Sequence, residues 1–305
     1  CALPILLVAR DESDGTSSRT YARAIDGDSG AIRWETLAHT STTTELAAAG
    51  TCHASDGTLV VASTAAGSSS FRPAGTSRIA GFDAATGAER WHVDVGGGAV
   101  NGFVENVLCD GARHVYASAA RRTGESAATT TLLAIDSGSG AVLWDVPVAS
   151  GRARADLAFT EPAATEPLLR GISQGTAQLE MLSAANGATH WTTTLPGVLN
   201  FWVALRAGGG DPVQLSQIGT PAASWDVVVH RVDAATGAIR WSRRIDGPFG
   251  GLQTAQSLSR GPSDEIYAMW RNSEGFTGRT AIARLDGATG DIAWNVEPPA
   301  VAGWQ

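Results

Sequence analysis

Apolar residues in this chain come in short runs bounded by Gly, Asp, Ser or Thr, and none approaches the ~18 residues of a membrane-crossing helix. Runs this short, bounded by turn residues, predict strands, as at residues 5–10, 58–63, 114–119 and 265–271. The most regular run leads into a turn and out again: Phe82-Asp83-Ala84-Ala85-Thr86-Gly87-Ala88-Glu89-Arg90-Trp91. Close variants occupy residues 25–34, 135–144, 182–191, 232–241 and 285–294, so six copies, ending 47 to 57 positions apart, fill the chain. That period is the length of one four-stranded antiparallel sheet with its turns.

In five of the copies an Asp folds its carboxylate onto nearby amides. A glycine, Gly30, Gly87, Gly140, Gly187, Gly237 or Gly290, supplies the positive φ that closes a hairpin. A type I turn followed by a glycine bulge is the expected geometry. The fourth copy uses Ser183 and Asn186 for the same purpose. The residue before the turn (Ile25, Phe82, Ile135, Leu182, Val232 or Leu285) and the one three places earlier (Ala22, Ile79, Leu132, Leu179, Val229 or Ile282) point to opposite faces of a strand. Both faces are therefore apolar, as in a sheet packed between two others. The outgoing strand carries Trp34, Trp91, Trp144, Trp191, Trp241 or Trp294, whose rings are expected to fill the wedge between neighbouring sheets. Six equivalent rings suit packing, since a cofactor needs one site.

These elements predict an all-β fold: a six-bladed β-propeller of four-stranded antiparallel blades forming a single domain over residues 1–305. The blades fall at about residues 1–36 with 298–305, then 37–93, 94–146, 147–193, 194–243 and 244–297. The first has only three strands of its own, and residues 300–305 are expected to add the fourth and close the ring. Residues 11–18 read as a polar loop. Its carboxylates Asp11, Glu12 and Asp14 suit a solvated turn better than a calcium loop, because the closing Glu is missing.

The pattern A-x-D-x-x-T-G-x-x-x-W resembles the PQQ-type propeller repeat shared by quinoprotein dehydrogenases, BamB-type outer-membrane lipoproteins and many extracytoplasmic proteins of unassigned role. The resemblance covers essentially the whole chain. It implies the propeller fold, and its nearest functional relatives are the BamB-type lipoproteins. For the dehydrogenases it implies eight blades, roughly double this length, a disulfide between adjacent cysteines and calcium-binding carboxylates, none of which has a counterpart in this sequence.

A formal net charge of −8 argues against a general nucleic-acid surface. All 22 basic residues are Arg. Of the three cysteines, Cys52 and Cys109 read as small buried hydrophobes near strand ends, with a disulfide between them left open. Cys1 is a candidate for lipidation, by which alone the chain would be anchored to a membrane, against the alternative of a processing boundary. His39, His53, His92, His114, His190 and His230 show no pairing at metal-ligand spacing. No nucleophile motif or phosphate loop occurs, so no catalytic, cofactor or metal residue is assigned.

Loops at one rim of the expected ring gather Arg121, Arg122, Arg152 and Arg154, with Trp202 and Phe249 as apolar anchors. Arg mixed with aromatics is the composition of interface hot spots, although rim arginines are also commonly solvated or paired with carboxylates. The expected function is a non-catalytic binding or scaffold propeller outside the cytoplasm, holding a protein partner in an envelope or surface assembly. A BamB-type assembly lipoprotein and a PQQ-dependent dehydrogenase are the alternatives.

Overall fold

The computed structural model describes residues 5–13, 17–41, 45–66, 76–96, 101–110, 113–122, 128–150, 154–159, 168–173, 177–196, 204–206, 210–219, 225–245, 253–272 and 280–297. The described strands form six antiparallel sheets. The first has three strands, β1 (Ile5–Ser13), β2 (Ser18–Asp26) and β3 (Ile32–Ser41). The second has β4 (Glu45–His53), β5 (Thr58–Ala66), β6 (Ser77–Asp83) and β7 (Glu89–Val95). The third has β8 (Asn101–Cys109), β9 (His114–Arg122), β10 (Ala128–Asp136) and β11 (Val142–Ser150). The fourth has β12 (Arg154–Phe159), β13 (Leu168–Ser173), β14 (Ala177–Leu182) and β15 (Thr189–Leu195). The fifth has β16 (Ala204–Arg206), β17 (Pro212–Gly219), β18 (Trp225–Val232) and β19 (Ile239–Ile245). The sixth has β20 (Gln253–Arg260), β21 (Ile266–Asn272), β22 (Thr280–Leu285) and β23 (Ile292–Val296). Strands follow sequence order within every sheet, the meander that short hairpin turns impose.

By its internal contacts the chain forms two compact units. The first comprises Cys1–Leu157, Pro162–Thr165 and Ala184–Ala188; the second comprises Ala158–Glu161, Glu166–Ser183 and Thr189–Gln305. In the first, Val60, Ala62, Ile79 and Trp91 of the second sheet pack on Val104, Val107, Val115 and Leu133 of the third. In the other, Val213, Leu215, Val227 and Val229 of the fifth sheet pack on Ile266, Ala268, Trp270 and Ala281 of the sixth. The cores thus lie between sheets, and this explains why the third strands are apolar on both faces. In β6 every residue from Ile79 to Phe82 is buried, whereas the outermost strand β7 buries Trp91 and Val95 but exposes Glu89, Arg90 and His92.

Two expectations are corrected here. The first strand continues through Asp11, Glu12 and Ser13, because Asp11 has partners on neighbouring strands: its carboxylate accepts from the Thr20 hydroxyl and from the Ala48 amide, each at 2.8 Å. Cys52 and Cys109 are half-buried and joined by a disulfide, with Cα atoms 5.5 Å apart. It ties the end of β4 to the end of β8, the first strands of two successive sheets. Residues 298–305, expected to close the ring, lie outside the described residues.

Candidate functional site

The recurring motif builds one device many times over. The Asp83 N–H donates to the Ala88 carbonyl at 2.9 Å, and the Gly87 N–H donates to the Asp83 carbonyl at 2.8 Å. The loop therefore holds four residues, one more than the expected type I turn with a glycine bulge. The repeat glycines all sit at φ near +70°, from Gly187 at 70° to Gly237 at 75°. Asp83 Oδ1 accepts from the Ala85 and Thr86 amides and the Thr86 hydroxyl, and Asp26, Asp136, Asp233 and Asp286 do the same in their own turns.

In each sheet the strand leading into the turn faces one extra residue on its outer neighbour. Gly81 pairs with Trp91 and Phe82 with Glu89, so Arg90 bulges out of register, as do Arg33, Leu143, His190, Arg240 and Ala293 in the other sheets. A bulge re-aims a side chain. Where that residue is Arg, it swings back onto the turn carboxylate: Arg90 to Asp83 at 2.6 Å, Arg33 to Asp26 at 2.5 Å and Arg240 to Asp233 at 2.6 Å. Arg90, then the Thr86 amide and hydroxyl, hold the Asp83 carboxyl well below the usual carboxylate range. Arg33, then the Ser29 groups, do so for Asp26.

The tryptophans reach forward to the next repeat. Their indole N–H groups donate to a turn carbonyl: Trp34 to Ala84 at 3.0 Å, Trp91 to Ser137 at 2.6 Å, Trp144 to Ala184 at 3.0 Å, Trp191 to Ala234 at 2.8 Å and Trp241 to Gly287 at 3.0 Å. Each ring also lies on the glycine of that turn. A Cβ on Gly87 would come within 2.6 Å of the Trp34 ring, and one on Gly140 within 2.7 Å of Trp91. Burial is uneven: Trp91 and Trp191 are buried, Trp34, Trp144 and Trp241 half-buried, and Trp294 is 38% exposed. At Gly30 no heavy atom stands within 4 Å of a Cβ position.

Two polar clusters inside the sheets were not singled out from the sequence. Arg231, 8% exposed, donates to Asp211 at 2.9 Å, to Asp264 at 3.1 Å and to the Gly287 carbonyl at 2.5 Å, the last of which also takes the Trp241 N–H. Beside it His230 is fully buried between the Ser216 and Ser242 hydroxyls, 2.7 Å from each, and burial pushes its imidazole down to about 4. The available signal was the His-Arg pair inside an otherwise apolar strand. Of the expected rim, Arg121 and Arg122 end β9 and Arg154 begins β12. Their side chains, and Arg152, Trp202, Phe249 and Cys1, lie outside the described residues. Among the described residues, no group of three or more His, Cys, Asp or Glu side chains can hold a metal ion.

Residues 18–150 match the family described as outer membrane protein assembly factor BamB. No curated protein matches the chain. Among solved structures, a europium-containing methanol dehydrogenase superposes over 96% of this chain and 73% of its own, at 10% identity and a TM-score of 0.55. The quinohemoprotein alcohol dehydrogenase of Comamonas testosteroni matches over 97% at 11% identity and a TM-score of 0.53, and this chain spans only 61% of its length. BamB from Moraxella catarrhalis is matched over 97% of this chain and 92% of its own, at 14% identity and a TM-score of 0.45. Likeness at such identities is likeness of fold. Residues 18–150 thus resemble the PQQ-like β-propeller repeat family, and the same turn, glycine and tryptophan recur to residue 294.

Proposed function

We propose that this protein is a non-catalytic, extracytoplasmic binding or scaffold propeller, its six sheets the blades of one closed ring, that mediates protein–protein contact in an envelope or surface assembly. One observation carries the reading: among the described residues the motif's reactive-looking groups are already engaged in structure. The turn carboxylates bind their own amides and arginines, and five indole N–H groups bind the following turn. Among charged and polar neighbours the outer strands also expose apolar side chains, with Ile32, Val142, Leu143 and Ile239 each more than a third exposed, a mixture suited to a protein partner. The Cys52–Cys109 disulfide supports an oxidising compartment.

The family match to residues 18–150 favours a second reading, an outer-membrane assembly role of the BamB type. Against a quinone enzyme we weigh that no group of three or more His, Cys, Asp or Glu side chains gathers among the described residues, and that the disulfide joins cysteines 57 residues apart instead of neighbours.

Titration with PQQ and calcium tests the non-catalytic reading, which expects neither saturable binding nor dye-linked alcohol oxidation; saturable turnover overturns it. Purification from the native envelope at fixed stoichiometry with one partner is expected, and loss of outer-membrane proteins on deletion would select the BamB-type role. Small-angle scattering addresses the ring, since a compact closed body of this length has a radius of gyration of about 19 Å. An open arc would be distinctly larger.

A further inference from the structure

Within the first unit, β3 and the outer half of the second sheet border a cleft of about 390 Å³, near the lower end of small-ligand sites. His39 lines it and is only 7% exposed. Its Nδ1 lies 2.7 Å from the Ser63 hydroxyl, while its Nε2 has no partner among the described residues. One imidazole nitrogen is therefore fixed by the protein, while the other is left to whatever occupies the cleft, water or a ligand.

The rest of the lining decides what that could be. Arg78 is already matched by Asp94, with Nε donating to Oδ1 at 2.7 Å and Nη2 to Oδ2 at 3.3 Å. Glu89 is matched by His92 at 2.6 Å. Thr40 and Thr76 add hydroxyls, and Leu37 with Ala38 an apolar strip. No unopposed cation waits there for a phosphate or carboxylate, and no unopposed carboxylate for an amine. Instead the wall alternates fixed donors and acceptors, each with hydrogen-bonding capacity left over. Hydroxyl groups, which donate and accept at once, are the chemistry that satisfies such a wall, and CH faces of a sugar ring suit the strip.

We propose that this cleft binds a neutral polyhydroxylated ligand, a sugar of one or two rings, with one ligand hydroxyl on His39 Nε2. The groups facing the imidazole from the neighbouring strands are Ser63 on β5, Arg78 on β6, and His92 and Asp94 on β7. Burial pushes His39 down to about 4, so at neutral pH Nε2 meets the ligand uncharged. The inference does not depend on the scaffold reading.

The test is a titration of the full chain, ¹⁵N-labelled at histidine, followed through the ring-nitrogen resonances of His39. Glucose, galactose, N-acetylglucosamine, maltose and cellobiose would be compared with acetate, inorganic phosphate and spermidine, each to about 10 mM. At least one sugar is expected to move the His39 resonances saturably. Thr76→Val, at the half-buried rim, is expected to weaken it about fivefold to tenfold. Asp94→Asn, which releases Arg78, is expected to weaken the sugar and let phosphate or acetate bind. If no sugar moves His39, or if an anion or amine does so in the unaltered protein, the proposal is overturned. Both substitutions lie on partly exposed side chains, and an unchanged melting midpoint shows that the variants fold.

Discussion

Gly30 and Gly140 hold the same backbone conformation, φ +71° and +74°, in different surroundings. A Cβ on Gly30 meets nothing, whereas one on Gly140 would press to 2.7 Å of the Trp91 side chain. Gly30→Ala should therefore cost only the backbone strain of about 1–2 kcal/mol. Gly140→Ala should cost clearly more, because the ring must also move, and urea midpoints of the two variants check the difference. The buried histidines give a second expectation. An unfolded imidazole titrates near 6.5, while burial holds His39 and His230 at about 4. Between those values the unfolded chain carries the extra proton, so stability is full above about 6.5 and falls as pH drops toward 4, by ~1.4 kcal/mol per histidine for each pH unit crossed. Further loss begins below the ordinary carboxylate range, where Asp26 and Asp83 must be protonated against their arginines. Stability measured from pH 7 to 4 should slope less in His230→Gln; an unchanged slope contradicts this account. The His230-Arg231 pair in an apolar strand marked the place of one of them, but periodicity shows only that a position faces inward and not which polar atoms meet it there.

At the scale of the element, the hairpin turn was readable because each of its residues acts on neighbours in sequence: Asp on amides two and three residues on, Gly on its own φ. The bulge before each tryptophan was not. It appears only when two strands are laid in register, and its evidence is a pairing, Gly81 with Trp91 and Phe82 with Glu89, that no single strand contains. The expectation of equal tryptophans failed for a similar reason, since burial depends on the following sheet. Trp91→Ala, losing a buried ring and its bond to Ser137, should cost ~3–5 kcal/mol. Trp294→Ala, from a ring 38% exposed, should cost much less in the same melts. Equal midpoints would mean that Trp294 is covered in solution. Arg90→Ala, breaking an exposed pair, should shift stability by no more than ~1 kcal/mol.

At the scale of the molecule, period and motif announced the number of repeats, whereas the Cys52–Cys109 link, 57 residues apart, required knowing that two first strands end side by side. Cross-linking a loop of that length stabilises by ~2–4 kcal/mol through the unfolded chain. Reduction should accordingly lower the thermal midpoint, and a Cys52→Ser, Cys109→Ser double variant should reproduce the shift. The indole bonds meanwhile all run one way along the sequence, each of the first five repeats donating a tryptophan forward and each of the last five presenting a carbonyl and a glycine backward. A segment of about fifty residues copied in tandem would arrive with a plug on one side and a matching socket on the other. Lineages of such chains can thus lengthen or shorten by whole repeats without inventing a new joint, and copy number becomes a heritable variable that drifts more freely than the sequence of any one seam.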